Sequence, residues 1–144
     1  MKSIDILLVE DNEGDILMTK EALTEINVKN NLTVAKNGEQ AIQILRRENG
    51  YEHSHRPDII LLDINLPRIN GHEVLAEIKK DKNLRPVPVI ILTTSSSKKD
   101  INEAYMGYAN CCVIKPIKGV DFVHTIANII QFWISIVELP EIKN

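Results

Sequence analysis

The chain has 144 residues, 44% of them hydrophobic and 26% charged, which gives room for a single domain with its own hydrophobic core. The net charge of −3 and the lack of a basic block argue against direct contact with nucleic acid, because neutralising phosphates requires clustered Lys and Arg. The N-terminus has no signal-peptide pattern and no apolar stretch approaches about 20 residues, so we expect a cytoplasmic protein that does not enter a membrane.

Short apolar segments alternate with amphipathic helical patterns along the chain. In chain order the pattern predicts strand 6–9, helix 16–26, strand 32–35, helix 38–48, strand 59–62, helix 71–81, strand 87–92, helix 98–107, strand 112–114 and helix 120–134. The third and fourth strands are apolar at nearly every position, as in strands buried on both faces of a parallel sheet. This strict alternation predicts an α/β fold, a flavodoxin-like doubly wound (βα)5 sandwich with three layers and a parallel five-stranded sheet.

Polar residues follow four of the five predicted strands. Glu10 and Asp11 follow the first strand, Asp63 the third, Thr93 the fourth and Lys115 the fifth. Ligands of open α/β sheets bind at the carboxyl ends of the strands, so these five side chains are expected at one edge of the sheet. A single strand-end Asp is more often a turn residue or a helix cap, but the whole set indicates a functional site.

The predicted cluster has the composition of a phosphoryl-transfer site. Three neighbouring carboxylates repel one another and need a cation, and oxygen ligands without Cys or His favour Mg²⁺. Lys115 would add a second positive charge and Thr93 a hydroxyl donor. One carboxylate could then attack a phosphoryl group and form an acyl phosphate, while the cation and the ammonium stabilise the transferring oxygens.

The segments that carry these residues resemble the receiver domain of two-component response regulators over essentially the whole chain. The matching segments are ILLVEDN at 6–12, PDIILLDINLP at 57–67, NG at 70–71, PVIILT at 88–93 and VIKP at 113–116. The resemblance implies a single-domain switch that receives a phosphoryl group from a sensor histidine kinase. It also implies that the protein catalyses only its own phosphorylation and dephosphorylation, and that its output is a protein contact or phosphate passage.

The resemblance assigns a role to each residue of the cluster. Asp63 is the phosphoacceptor, and it holds Mg²⁺ together with Glu10, Asp11 and the backbone carbonyl of Asn65. Thr93 is the hydroxyl that turns toward the acyl phosphate. Lys115 pairs with a phosphate oxygen, and the following Pro116 is expected in a cis peptide bond.

One position departs from the family pattern. The second switch residue, three positions before the lysine, is usually aromatic, and here it is Cys112. A thiol cannot change its exposed surface as an aromatic ring does when it turns. The sequence assigns no substitute, although Tyr105 and Tyr108 lie nearby in the chain.

The C-terminus is more apolar than one helix face requires. We therefore divide the chain into a receiver domain, residues 1–131, and an apolar extension, residues 132–144. The extension either folds back on its own core or forms a patch for a homodimer or another partner. This ending, and the longer polar loop before the third strand, are similar to regulators associated with bacterial phytochromes, so the expected kinase is of phytochrome type.

Three other functions are compatible with parts of the pattern. A phosphate-ester hydrolase with an aspartyl nucleophile would usually have a second acid two residues after it, where this chain has Asn65. A nucleotide-binding enzyme would need a Gly-rich turn or a P-loop, and neither occurs. A receiver-like scaffold that works without phosphate is disfavoured by the complete set of acids and by Lys115.

Overall fold

The computed structural model describes residues 3–141, and within them five strands alternate with five helices. The elements are β1 (Ile4–Val9), α1 (Glu13–Thr24), β2 (Asn30–Ala35), α2 (Gly38–Arg46), β3 (Ile59–Asp63), α3 (Gly71–Lys80), β4 (Val89–Thr93), α4 (Lys98–Met106), β5 (Cys111–Ile114) and α5 (Gly119–Ser135). The strands form one sheet in the order β2-β1-β3-β4-β5, and every neighbouring pair is parallel. The doubly wound fold predicted from the alternation is confirmed.

Two hydrophobic cores sit on opposite faces of the sheet, because successive side chains of a strand point to opposite sides. In β3, Ile60 and Leu62 pack into one core and Ile59 and Leu61 into the other. Buried side chains of α2, α3 and α4 cover the first core, and those of α1 and α5 cover the second. β3 and β4 are buried at every position because they lie inside the sheet and are covered on both faces.

Element boundaries depart from the predicted ones where a backbone hydrogen bond, rather than hydrophobicity, decides them. Strand β4 begins at Val89 and not at Val87, since Pro88 has no N–H and the Val87 N–H donates to the carbonyl of Leu84 instead. Helix α1 begins three residues before the predicted Ile16, because the side chain of Asn12 caps it. Apolar periodicity marks the buried face of a helix but not its polar first turn.

The predicted boundary between residues 131 and 132 falls inside α5, which continues to Ser135. Trp133, Ile134 and Leu139 pack against the core that α1 and α5 cover. Phe132 and Ile136 remain 48% and 74% exposed. Residues 132–141 of the apolar extension are therefore divided between the core of their own chain and the surface, and residues 142–144 lie outside the described part. Within residues 3–141, no helix is both long enough and apolar enough to cross a membrane.

Gly71 lets the first turn of α3 approach the end of β3 very closely. A Cβ atom at this position would lie 2.3 Å from the carbonyl oxygen of Asp63 and 2.6 Å from the Cα atom of Ile64. The Gly71 N–H also donates to the carbonyl of Ile64 at 2.8 Å. The backbone that carries Asp63 is therefore held in place by a contact that only glycine permits.

We expect Gly71→Ala to lower the free energy of unfolding by about 3 kcal/mol, because backbone atoms cannot yield to the added methyl group. Gly119→Ala is the matched control, since its methyl group would meet only the sulfur of the Met18 side chain, at 3.2 Å. Urea denaturation of both variants measures the difference. Equal stability of the two variants would contradict the tight contact at Gly71.

Candidate functional site

Three carboxylates meet at the carboxyl edge of the sheet. Asp63 is the last residue of β3, and Glu10 directly follows β1, whose Val9 is paired with Leu62. Glu10 and Asp63 are 1% and 6% exposed, whereas Asp11 is exposed to solvent. One oxygen from each of the three carboxylates lies within 4.8 Å of the other two. Chain positions more than 50 residues apart thus converge on one point.

Lys115 brings a buried ammonium into this cluster from the loop after β5. Its Nζ atom lies 2.5 Å from Glu10 Oε1, 2.9 Å from Asp15 Oδ2 and 3.4 Å from Asp63 Oδ2. The Lys115 side chain is only 4% exposed, and its backbone N–H donates to the carbonyl of Thr93. The backbone is thus anchored to the end of β4 while the side chain reaches the acids.

The charges of these groups are strongly coupled because little water reaches them. Burial raises the pKa of Glu10 to about 7, with a further contribution from Asp63, while Lys115 opposes the shift. Burial lowers the pKa of Lys115, but its contacts with Glu10, Asp15 and Asp63 outweigh burial and raise this pKa above its usual value. The lysine therefore remains charged, and the acids carry an excess of negative charge.

The two oxygens of Asp63 have different environments. Oδ1 accepts a hydrogen bond from the backbone N–H of Asn65 at 3.2 Å, whereas Oδ2 faces Lys115. The Asn65 side chain points to the surface, where it donates to Thr94 Oγ1 at 3.4 Å. Asn65, predicted to offer its backbone carbonyl to the cation, is thus held beside Asp63 by its own N–H.

Thr93, the last residue of β4, is fully buried at the same edge. Its hydroxyl oxygen accepts a hydrogen bond from the backbone N–H of Ser95 at 3.0 Å. The Ser95 hydroxyl in turn donates to Asp100 Oδ2 at 2.7 Å, and Asp100 lies in the first turn of α4. A chain of hydrogen bonds therefore joins the Thr93 hydroxyl to the start of α4.

Asp15 is the site residue that sequence reasoning missed. It lies in the first turn of α1, four positions after Asp11, and its carboxylate contacts Lys115. The available signal was Asn12, a preferred helix cap, which places α1 close to the acidic pair. The lysine itself approaches from 100 positions away in the chain, and no local pattern predicts that pairing.

Two features near β5 differ from what the family resemblance implies. All described peptide bonds are trans, so the expectation of a cis bond between Lys115 and Pro116 is wrong. Trans is the lower-energy form of most X–Pro bonds.

At the unusual switch position, the backbone N–H of Cys112 donates to the hydroxyl of Tyr105 at 3.2 Å. The Tyr105 ring is 49% exposed. An aromatic side chain from α4 thus contacts β5 at that position.

The cluster fits a hard divalent cation. Its donors are carboxylate oxygens, which Mg²⁺ and Mn²⁺ accept readily. With all acids ionised, Glu10, Asp11, Asp15 and Asp63 place four negative charges around the single positive charge of Lys115. Buried carboxylates without enough counter-charge are costly, and a divalent cation would remove most of that cost.

Comparison with known proteins matches residues 6–127 to the response regulator receiver domain. The response regulator Rcp1 of Synechocystis sp. is 38% identical over 135 residues, which cover 94% of this chain and 92% of Rcp1. Only a short part of either sequence lies outside the aligned region.

Solved structures agree with this match. The phosphorylated cyanobacterial phytochrome response regulator RcpA has a TM-score of 0.95 and 39% identity, covering 97% of this chain and 100% of RcpA. The Mn²⁺-bound form of Rcp1 has a TM-score of 0.92 and 38% identity, covering 96% of this chain and 99% of Rcp1. The expected similarity to phytochrome-associated regulators is confirmed.

The raised pKa of Glu10 predicts a pH-dependent stability of the cation-free protein. Between about pH 4.5 and 7, native Glu10 keeps a proton that the unfolded chain has lost, so the free energy of unfolding falls as pH rises. A shift of this size corresponds to on the order of 3 kcal/mol. We expect Glu10→Gln to lose this part of the pH dependence in urea denaturation with EDTA from pH 5 to 8.

The exposed Glu21→Gln variant is the control and should follow the wild-type curve. If Glu10→Gln keeps the wild-type pH dependence, the raised pKa of Glu10 is contradicted.

Proposed function

The chain belongs to the response regulator receiver family, whose members accept phosphoryl groups in two-component signalling, and we propose that Asp63 is its acceptor residue. The observation that carries the proposal is the position of the Asp63 carboxylate. It lies at the sheet edge close to the Lys115 ammonium and to two further acids. Its Oδ2 atom faces the ammonium, and its Oδ1 atom is held by the Asn65 N–H.

The proposed reaction is the transfer of a phosphoryl group from a donor to Asp63. A carboxylate oxygen of Asp63 attacks the phosphorus of a phosphohistidine or of a small acyl phosphate. A P–O bond forms to Asp63 while the P–N or P–O bond of the donor breaks, and the leaving group keeps the electron pair. Lys115, 3.4 Å from Asp63 Oδ2, is close enough to neutralise a phosphoryl oxygen.

We propose Mg²⁺ as the cation of this site, held by Glu10, Asp11, Asp63 and the backbone carbonyl of Asn65. The oxygen-only donor set and the excess negative charge support this choice. The Mn²⁺-bound structure of Rcp1 shows that a relative binds a divalent cation of similar preference. When bound, the cation neutralises charge on the transferring phosphoryl group.

The switch runs through Thr93. Attraction to the new phosphoryl oxygens draws its hydroxyl away from the Ser95 N–H, to which it is bonded in this structure. The Ser95 hydroxyl holds Asp100 of α4, so the change reaches the start of that helix. The output is a change in protein contacts, and the protein has no external substrate.

The proposed donor is a cytoplasmic sensor histidine kinase of phytochrome type. This choice is supported by the likeness of the chain to RcpA, which is a phytochrome response regulator, over 97% of its length. The sequence contains no block of clustered Lys and Arg, which also favours a protein partner over nucleic acid.

We further propose a homodimer that forms through the C-terminal end of α5. Phe132 and Ile136 are large, apolar and exposed there, and Phe132 lines a shallow groove together with Cys111, Ile129 and Trp133. A ridge and a groove on one face can be self-complementary in a two-fold dimer, because each copy offers both. Part of the extension packs into the core of its own chain, which leaves Phe132 and Ile136 on the surface for a dimer contact.

The acceptor assignment is tested by incubating the protein with acetyl phosphate and Mg²⁺, with and without EDTA, and recording the intact mass. We expect one phosphate adduct in the wild type with Mg²⁺, and none with EDTA or in Asp63→Asn. Asp121→Asn, an exposed change on α5, should label like the wild type. Stoichiometric labelling of folded Asp63→Asn would contradict the assignment of Asp63 as the acceptor. An unlabelled wild type would favour a scaffold that works without phosphate.

The dimer is tested by sedimentation velocity of a Phe132→Ser/Ile136→Ser variant. We expect the Kd for dimer dissociation to rise at least tenfold over that of the wild type, since two apolar side chains are removed from the interface. Leu17→Ser, which changes an exposed apolar residue of α1, is the control. A monomeric wild type, or a dimer that the double change leaves intact, contradicts this interface.

A further inference from the structure

We infer that Asp15 is a positioning residue that gives the Lys115 ammonium a partner outside the cation cluster. It thereby releases Glu10 and Asp63 to a divalent cation and keeps the buried Lys115 charged. The inference deepens the proposed function and rests on it.

The geometry separates Asp15 from the other acids. Its Oδ2 atom lies 2.9 Å from Lys115 Nζ, closer than Asp63 Oδ2 at 3.4 Å. Yet the group of carboxylates that could share a cation consists of Glu10, Asp11 and Asp63, without Asp15. Asp15 therefore contacts the lysine from a position beside the cation cluster.

Two hydrogen bonds hold the backbone of Asp15 in that position. Its backbone N–H donates to the side chain of Asn12, which caps α1, at 2.9 Å. Its carbonyl accepts a hydrogen bond from the buried Thr19 hydroxyl at 2.8 Å. The carboxylate itself is 19% exposed, so the ion pair with Lys115 is only partly screened by water.

A cation that binds Glu10 and Asp63 competes directly with Lys115 for the same two carboxylates. The lysine side chain is 4% exposed, and a buried ammonium without a partner is costly. Asp15 resolves the conflict, because Lys115 keeps one charged partner when the cation takes the other two. Lys115 then remains charged while the cation is bound.

Removal of the Asp15 charge should have opposite effects on the two ligands. The cation should bind more weakly, because the site loses one negative charge and Lys115 is left with Glu10 and Asp63 alone. At saturating cation, a doubly negative phosphodonor should be used at lower concentration, because repulsion is smaller and Lys115 is more available. A general disturbance of the site would weaken both.

The test compares Asp15→Asn with Glu13→Gln in the full chain. Glu13 lies in the same helical turn, carries the same charge and is 71% exposed, where it pairs with Lys36. Mn²⁺ is the probe for the cation site, with free Mn²⁺ measured by electron paramagnetic resonance. The second readout is the acetyl phosphate concentration that gives half-maximal labelling at saturating Mg²⁺.

We expect Asp15→Asn to raise the Kd for Mn²⁺ by about five- to tenfold and to lower the half-maximal acetyl phosphate concentration severalfold, as for loss of a partly buried charge pair. Glu13→Gln should change neither by more than about twofold. In a Lys115→Met background the effect of Asp15→Asn on Mn²⁺ should shrink, since it acts largely through the lysine. If Asp15→Asn does not fold, Asp15→Ser takes its place.

The outcomes are separable from those of the proposed function. A wild type that takes up no phosphate contradicts the acceptor assignment and not the role of Asp15 toward the cation, which the Mn²⁺ titration still reads. A labelled wild type with Asp15→Asn equal to Glu13→Gln in both readouts overturns the inference. So does a variant in which both ligands bind more weakly, since that is the signature of a structural role alone.

Discussion

The arrangement of this site depends on one electrostatic constraint: three carboxylates contact a single buried ammonium at the carboxyl edge of the sheet, and a fourth, from Asp11, lies beside two of them. Strands that are buried on both faces place Glu10 and Asp63 where water is scarce. The same burial that raises the pKa of Glu10 makes a cation favourable and keeps Lys115 paired. The fold thus creates an excess of negative charge that a divalent cation can neutralise, and the cation and Lys115 can then stabilise the oxygens of a phosphoryl group.

The periodicity of the sequence was enough to predict the sheet, all five helices and the edge at which the site lies. Residues 59–62 of β3 are all apolar because both faces of the strand are covered, and that pattern is visible in the chain itself. The residues that follow the strands were found for the same reason. The roles of the individual site residues were predicted from the family resemblance, and they are tested by phosphate labelling and cation binding.

What the sequence could not predict depends on contacts between distant segments or on backbone hydrogen bonds. Asp15 gains its importance from a lysine that arrives from the far side of β4. Tyr105 meets Cys112 only because α4 packs beside β5. The start of β4 was misplaced by two residues, since hydrophobicity continues through Pro88 while the pattern of N–H donors does not.

The Tyr105 hydroxyl has a consequence for the outer border of the sheet. β5 is an edge strand, and an edge strand with open N–H groups is a template onto which another chain can add. At Cys112 that donor is already occupied by a phenol oxygen from α4. Protection of the Cys112 amide from hydrogen exchange therefore reports on the position of α4 and not on pairing with a neighbouring strand. The chain thus carries a backbone reporter of the position of α4 at the border of its own sheet.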